Sequence, residues 1–432
     1  MATPTCPWFL LLLLLTFSTL LPDGWSTTWQ QDVRVLYLLK ASLDPASVTP
    51  GSCISSWNFS FDPCDNLFTD RFPCGFECQA IDDSTPGSHR VTGITLDHAG
   101  YSGSLATVPF NDVTYLQILD LSGNRFYGPI PESLHGMSHL TRLLLSGNSF
   151  NGPIPSSIGS LVSIEEVFLD GNYLAGSIPP SVNSLTNLNR LGLQNNRLTG
   201  SFPDLSSLRN LQYLDASNNA FSGELPTGDT LPPSLVQLIL RNNSLQGAIP
   251  DAIGNLQYLQ VLDLFNNQLT GPVPSFFFTN PSMQQLNLGS NRLTYLGSPP
   301  ITSFLQSQLV ALDLSKNLLE GVLPAFLPLM PRLSSLSLEN NKFSGMIPLP
   351  YAIKAVVPPF GVSQFTRLLL GGNYLMGPIP APLLWLYKGG ASSSSSFSGV
   401  VKLDGNCLYR CPFRFFFCQG TIQRPPADCK SF

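Results

Sequence analysis

One motif, Leu-x-Leu-x-x-Asn-x-Leu-x-Gly-x-Ile-Pro, returns every 24 residues through most of the chain, and that period leaves few ways to fold it. Anchored on the asparagine, the copies fall at Asn124, Asn148, Asn172, Asn196, Asn219, Asn243, Asn267, Asn291, Asn317, Asn341 and Asn373. The first seven intervals are 24, 24, 24, 23, 24, 24 and 24 residues. A unit this short cannot bury its apolar side alone, so successive units must stack as turns of a solenoid. A degenerate turn at Ile94-x-Leu96, with Ala99 in the anchor position, precedes the series, and Val401-x-Leu403-x-x-Asn406 follows it. About thirteen turns result.

The residue types predict the shape of each turn. Leu-x-Leu alternates with period two, so it forms a short strand with leucines inward and the intervening residues outward, and stacked strands make one parallel sheet. The asparagine stands where the chain leaves the strand, and its amide both donates and accepts, which suits a bend that buries backbone groups. Segments such as Gly152-Pro153-Ile154-Pro155 and Gly247-Ala248-Ile249-Pro250 pair a permissive residue with one that lacks a donor and read as extended backbone.

The chain has 432 residues, 11% of them charged, and a net charge of -5, which disfavours a nucleic-acid partner. Trp8 to Leu21 is an apolar run, followed by small residues at Gly24 and Ser26, so residues 1–26 are expected to be a secretory signal. Met1 to Pro7 carries no Lys or Arg, which leaves an uncleaved anchor as the alternative. No other run reaches the roughly 18 apolar residues that span a bilayer. The C-terminal residues also lack a lipid-anchor tail. A secreted protein with no stable membrane insertion after signal cleavage is expected, in the extracellular space or cell wall.

Removing Cys6 with the signal leaves eight cysteines, all outside the asparagine-anchored series. Cys53, Cys64, Cys74 and Cys78 are expected to staple a first cap, and Cys407, Cys411, Cys418 and Cys429 a second, with pairing open. A metal role for these cysteines is disfavoured by the oxidising route. The expected organisation is a signal at 1–26, a cap at 27–93, repeats at 94–405 and a second cap at 406–432. Asn58-Phe59-Ser60 and Asn242-Asn243-Ser244 are glycosylation sequons, while Asn280-Pro281-Ser282 is excluded by its proline.

The Leu-x-Gly-x-Ile-Pro half resembles the plant-specific class of extracellular leucine-rich repeat proteins, found in receptor kinases, receptor-like proteins and secreted inhibitors. Val33 to Lys40, which reads as a short helix, then Ser56-Trp57, a cysteine pair and Arg90-Val91-Thr92-Gly93-Ile94 extend the likeness into the first cap. It covers roughly residues 31 to 432. Cys74-Gly75-Phe76-Glu77-Cys78 departs from the wider, tryptophan-containing pair usual there. The resemblance implies an α/β-type repeat solenoid: a curved, right-handed leucine-rich repeat superhelix with a parallel concave sheet and disulfide-stapled caps.

Ligands of such solenoids usually occupy the outward strand positions. These carry four Arg against five Asp and two Glu, which disfavours a polyanion such as pectin. Phe168, Tyr213 and Phe265 stand there within a few turns, with Ile239 between them and Glu166, Asp170 and Arg241 alongside, and these seven form the expected protein-binding patch. The competing reading is that each ring rests against its neighbour in the sheet. Asp120, Asp263 and Asp313 read as solvated filler. The period slips to 26 after Asn291, 32 after Asn341 and 33 after Asn373. Tyr351 to Pro359 in the second slip is expected as a partner-facing loop, and Gly389 to Ser396 in the third as a slack connector.

His135 and His139 have helical metal spacing but lack the glutamate of a metalloprotease, and no nucleophile or phosphate-loop motif occurs. No catalysis and no cofactor are expected. The function read from the sequence is binding of a peptide or protein partner, a receptor kinase ectodomain being the partner class. The alternative is an inhibitor of a secreted wall-degrading hydrolase.

Overall fold

A computed structural model describes residues 27–81, 89–300, 302–388, 399–409, 411–412 and 414–431. The expected signal at 1–26 and the Gly389 to Ser396 connector lie outside the described residues. The chain separates into two compact units, Met1–Phe150 and Asn151–Phe432.

In the first unit, helix α1 (Gln30–Ala41) covers the segment read as helical and buries Val35, Leu36 and Leu39 along one face. Asp32 on this helix is buried, and Arg90 neutralises it through two hydrogen bonds of 2.9 and 3.0 Å. The Val91 N–H also donates to Asp32, at 2.8 Å. Such a pair survives burial because its oxygens are satisfied from several directions. Cys53–Cys74 and Cys64–Cys78 are the disulfides of this cap. Trp57 packs edge-on to Phe76 at 5.3 Å within their reach. Phe76–Ala80 runs antiparallel to His89–Thr95, which begins a parallel series with Ile118–Asp120 and Arg142–Leu144. His135 and His139 are both exposed, and His139 stacks on Tyr115 at 5.1 Å.

In the second unit the parallel series comprises Glu166–Phe168, Arg190–Gly192, Tyr213–Asp215, Gln237–Ile239, Val261–Asp263, Gln285–Asn287, Ala311–Asp313, Ser335–Ser337, Arg367–Leu369 and Val400–Lys402. Adjacent strands pair in register, so each outward residue faces its counterpart one repeat away. With the three parallel strands of the first unit, the described residues contain the thirteen turns read from the period. The central residues, from Val167 and Leu191 to Leu368 and Val401, are at most 3% exposed. Leucines at this position supply the stack's hydrophobic core.

Asn267 shows what the anchor does. Its Nδ2 donates to Leu264 O in its own turn and to Leu240 O in the preceding one, both at 3.1 Å, while its Oδ1 accepts from Leu245 N at 3.0 Å. Asn291, Asn317 and Asn341 repeat the arrangement. The amide therefore satisfies the bend of one turn and ties it to the turn before.

The Gly-x-Ile-Pro half is extended, as its composition predicts, and the residues leading into its glycine form ladders of their own. Tyr173–Gly176, Arg197–Gly200, Ala220–Glu224, Ser244–Ala248, Gln268–Val273 and Arg292–Leu296 make a second parallel series. A separate sheet joins Glu320–Val322, Lys342–Met346, Tyr374–Pro378 and Cys407–Tyr409. The repeat itself changes next to the break. Tyr295 occupies the place where the preceding turn has Gly271 at φ +77°, and a tyrosine resists that conformation. The turn continues to Gly297 instead, and the period lengthens to 26.

After the proline most turns coil into short 3-10 segments, among them Ser156–Ser160, Pro180–Ser184 and Asp251–Asn255. The two long slips hold helices instead: α2 (Leu349–Val356) and α3 (Ala381–Lys388). This corrects the expected partner-facing loop at Tyr351 to Pro359. Tyr351, Ala352, Lys354 and Ala355 are buried, and the Tyr351 hydroxyl donates to Pro324 O at 2.8 Å. Lys354 Nζ donates to Met330 O and lies 5.0 Å from the Phe365 ring. Burial pushes its amine down to about 8. The apolar residues there are core because eight helical residues put Tyr351, Ala352 and Ala355 on one side. Cys407–Cys429 and Cys411–Cys418 close the last turns.

Candidate functional site

The seven expected patch residues all stand on the second unit's parallel series or in the residues directly after its strands. Arg241 is exposed, whereas Glu166, Phe168, Asp170, Tyr213, Ile239 and Phe265 are half-buried. The rings do not project as freely as outward strand positions suggest. A Cβ on Gly192 would meet Phe168 Cδ1 at 2.5 Å, and one on Gly289 would meet Phe265 Cδ2 at 3.0 Å. Each phenylalanine thus lies over a glycine in the same row of the next turn, 24 residues on. The reading in which rings rest on their neighbours describes both.

Arg190 ties the first part of the patch together. Its guanidinium carbon lies 5.2 Å from the Phe168 ring centre and 5.3 Å from that of Tyr213, and Nη1 is 3.7 Å from Glu166 Oε1. The Arg190 side chain remains 49% exposed. The Tyr213 hydroxyl donates to Asp215 at 3.3 Å. Burial, reinforced by the Asp215 charge, pushes the phenol up to about 12, so Tyr213 is a neutral donor at ordinary pH. Arg190 is one of the four outward arginines but is not among the seven patch residues. The signal that marks it is its register: it pairs directly with Glu166 on one side and Tyr213 on the other.

Ile239, Arg241, Asp263 and Phe265 form a second part. Burial raises the Asp263 carboxyl above its ordinary value against the opposing pull of Phe265 N–H and Arg241. The aspartates of the Leu-Asp-Leu triplets, Asp120, Asp263 and Asp313, are more than filler, and Asp215 in Leu214-Asp215-Ala216 behaves as they do. Asp120, Asp215, Asp263 and Asp313 each accept the N–H of the residue two places on, at 2.8 to 3.0 Å. This short local bond shapes the bend after the strand. The two sequon asparagines differ in setting. Asn58 Oδ1 accepts from Ser60 N at 3.1 Å. Asn242 sits at φ +54° in a chain of side-chain amides, donating to Asn218 at 2.6 Å and accepting from Asn266 at 3.0 Å.

Among the described residues no cluster of three or more His, Cys, Asp or Glu is placed to hold a metal ion, and no helix is long and apolar enough to cross a membrane. What the face offers is fixed rings, a half-exposed guanidinium and carboxylates tied to backbone donors.

Comparison with known proteins agrees with this geometry. Residues 114–174 and 233–298 match a leucine rich repeat family model, and residues 210–228 match a second one. The solved structure of the plant peptide hormone receptor RGFR1 in complex with RGF2 superposes with a TM-score of 0.65 at 26% identity, over 76% of this chain and 50% of that one. The chain therefore spans about half the length of that receptor. The ectodomain of the membrane receptor kinase GASSHO1/SCHENGEN3 from Arabidopsis thaliana, in complex with CASPARIAN STRIP INTEGRITY FACTOR 2, is 22% identical over 91% of this chain and 61% of that one, with a TM-score of 0.45. A plant ice-binding protein is 22% identical over 89% and 96% of the two chains, also with a TM-score of 0.45. A search of curated protein sequences found no match. The repeat, these partial matches and the superposition agree on the fold of a leucine-rich repeat solenoid, similar to that of a plant peptide hormone receptor.

Proposed function

We infer that this is a secreted recognition protein of the plant cell surface or wall. It binds a peptide or protein partner, of the receptor kinase ectodomain class, through Glu166, Phe168, Asp170, Arg190, Tyr213, Ile239, Arg241 and Phe265. The observation that carries this reading is the Arg190 stack: a charge held between two rings and anchored by Glu166, yet still half exposed. Side chains fixed before binding lose little entropy on binding, and aromatic and arginine residues dominate protein interfaces. The likeness to a hormone receptor solved with RGF2 supports a peptide or protein ligand. Residues 1–26 act as the leader in this reading, and Asn58 and Asn242 carry glycans.

The test is capture from plant extracellular fluid on the immobilised protein, with Phe168→Ala, Arg190→Ala and Phe265→Ala beside the wild type. Recovery of a receptor kinase ectodomain, weakened about tenfold by each of Phe168→Ala and Arg190→Ala, is expected. Unchanged capture by all three variants sinks the assignment of this face. Recovery of a hydrolase that loses its activity in the complex overturns the receptor reading in favour of inhibition.

A further inference from the structure

Phe68, in the first unit, is the one aromatic residue held at positive φ among the described residues, at +61°. In that conformation Cβ crowds the backbone, which glycine avoids and asparagine tolerates far better than a bulky side chain. Burial does not compensate, because Phe68 is 77% exposed. The surrounding loop imposes the conformation. Phe68 N–H donates to Phe72 O at 2.8 Å, Thr69 Oγ1 donates to Asn66 O at 2.6 Å, and Arg71 N–H donates to Thr69 Oγ1 at 3.2 Å. Phe72 is fully buried against Trp57 and Phe76, and the loop is bounded by the Cys53–Cys74 and Cys64–Cys78 disulfides. A strained residue kept in place by such a frame, with its ring displayed to solvent, has the marks of a binding element.

The loop's charge says what kind of group it would take. Residues 58–78 carry Asp62, Asp65, Asp70 and Glu77 against the single cation Arg71. Asp65, Asp70 and Glu77 are exposed. Arg71 already lies 4.3 Å from the exposed Phe61 ring, so the loop itself shows a guanidinium resting on one of its phenyl faces. The geometry points to Phe68 and its acidic flank as a docking surface for a partner protein segment that carries an arginine or lysine beside an apolar side chain. The ring supplies an apolar and cation-attracting face, and the carboxylates supply the complementary field. A second copy of the chain would bring the same carboxylates against these, and an anionic bilayer would be repelled.

The test uses the full chain with a short alternating arginine–leucine peptide as probe and its glutamate–leucine counterpart as control. Phe68→Asn should weaken binding of the arginine probe about tenfold while raising the melting temperature by about 1 to 3 °C, since asparagine relieves the backbone. Asp70→Asn combined with Glu77→Gln should weaken binding about threefold and flatten its salt dependence. Equal binding of the arginine probe by Phe68→Asn and wild type overturns the proposal, as does equal binding of the two peptides. A lower melting temperature for Phe68→Asn shows the ring to be structural and also overturns it. So does self-association, or binding to phosphatidylcholine–phosphatidylserine vesicles, that disappears with Phe68.

Discussion

Asn267 and Phe265 stand two residues apart on the same bend, and they answer to different parts of the molecule. The asparagine bonds to carbonyls and an N–H that every turn supplies, so its partners do not depend on which side chains its neighbours carry. The phenylalanine lies where it does because position 289 in the next turn is glycine. A buried column built on backbone groups can repeat without variation, whereas an outward column takes its geometry from pairs of side chains one repeat apart. Stability resides in the first, and the proposed specificity in the second.

That contrast breaks if the two residues cost the same to remove. Asn267→Leu removes one of two amide donors from each of Leu240 O and Leu264 O, which keep Asn243 and Asn291, and leaves the buried Leu245 N–H without its acceptor, a loss of about 3 kcal/mol. Phe265→Ala removes a half-buried ring over a glycine and should cost about 1 kcal/mol. Urea unfolding of both variants checks the ratio. Equal losses would mean that the asparagine column is no more structural than the outward face.

The same division explains what could be read from the chain. The turn count, the first cap's helix and the asparagine column rest on residues that recur or act within their own turn, and each follows from local chemistry. The replacement of the repeat's glycine by Tyr295 is visible in the sequence, but the separation of the ladders after its strand is a matter of pairing between turns. The helix at Leu349–Val356 was hidden because its apolar residues suit a partner-facing loop as well as a buried helix, and only packing separates the two. The outward rows were located correctly while the posture of their rings stayed open between two readings, because Phe168 and Phe265 had to be read together with Gly192 and Gly289. Phe68 left no mark at all, because a backbone dihedral is set by the loop around it.

Lys354 sharpens the contrast from the irregular side, where a cation stands in the core with a carbonyl as its partner. Its folded-state value of about 8 lies below the ordinary 10.5 of a lysine, so the folded state prefers the neutral amine. Below pH 8 both states are charged and the penalty is fully present. Between 8 and 10.5 the unfolded chain holds the proton more often, and stability rises with pH. The gain should total about 3 kcal/mol for the wild type relative to Lys354→Met, which has no proton to lose. Comparing the pair at each pH cancels the opposite contribution of Tyr213, whose raised value makes stability fall above pH 10. Parallel stability curves for the two proteins would show that Lys354 is not held as a buried amine.

Gly192→Ala is the smallest change and the most discriminating for the outward face. Gly192 is not at positive φ, so alanine suits its backbone, and the main obstacle is the Phe168 ring, whose Cδ1 the new Cβ approaches to 2.5 Å, with Gln194 Oε1 at 3.3 Å. The ring must lift off the sheet, and in doing so it leaves the Arg190 guanidinium that now lies 5.2 Å from its centre. Stability should fall by about 1 kcal/mol. Capture of the partner should weaken toward the level of Phe168→Ala, although the added methyl group touches no ligand. If Gly192→Ala binds as the wild type does, the posture of Phe168 is irrelevant to recognition, and the face acts through Arg190 and its carboxylates alone. If it binds more tightly, the ring is held back in the free protein and must rise to meet its partner.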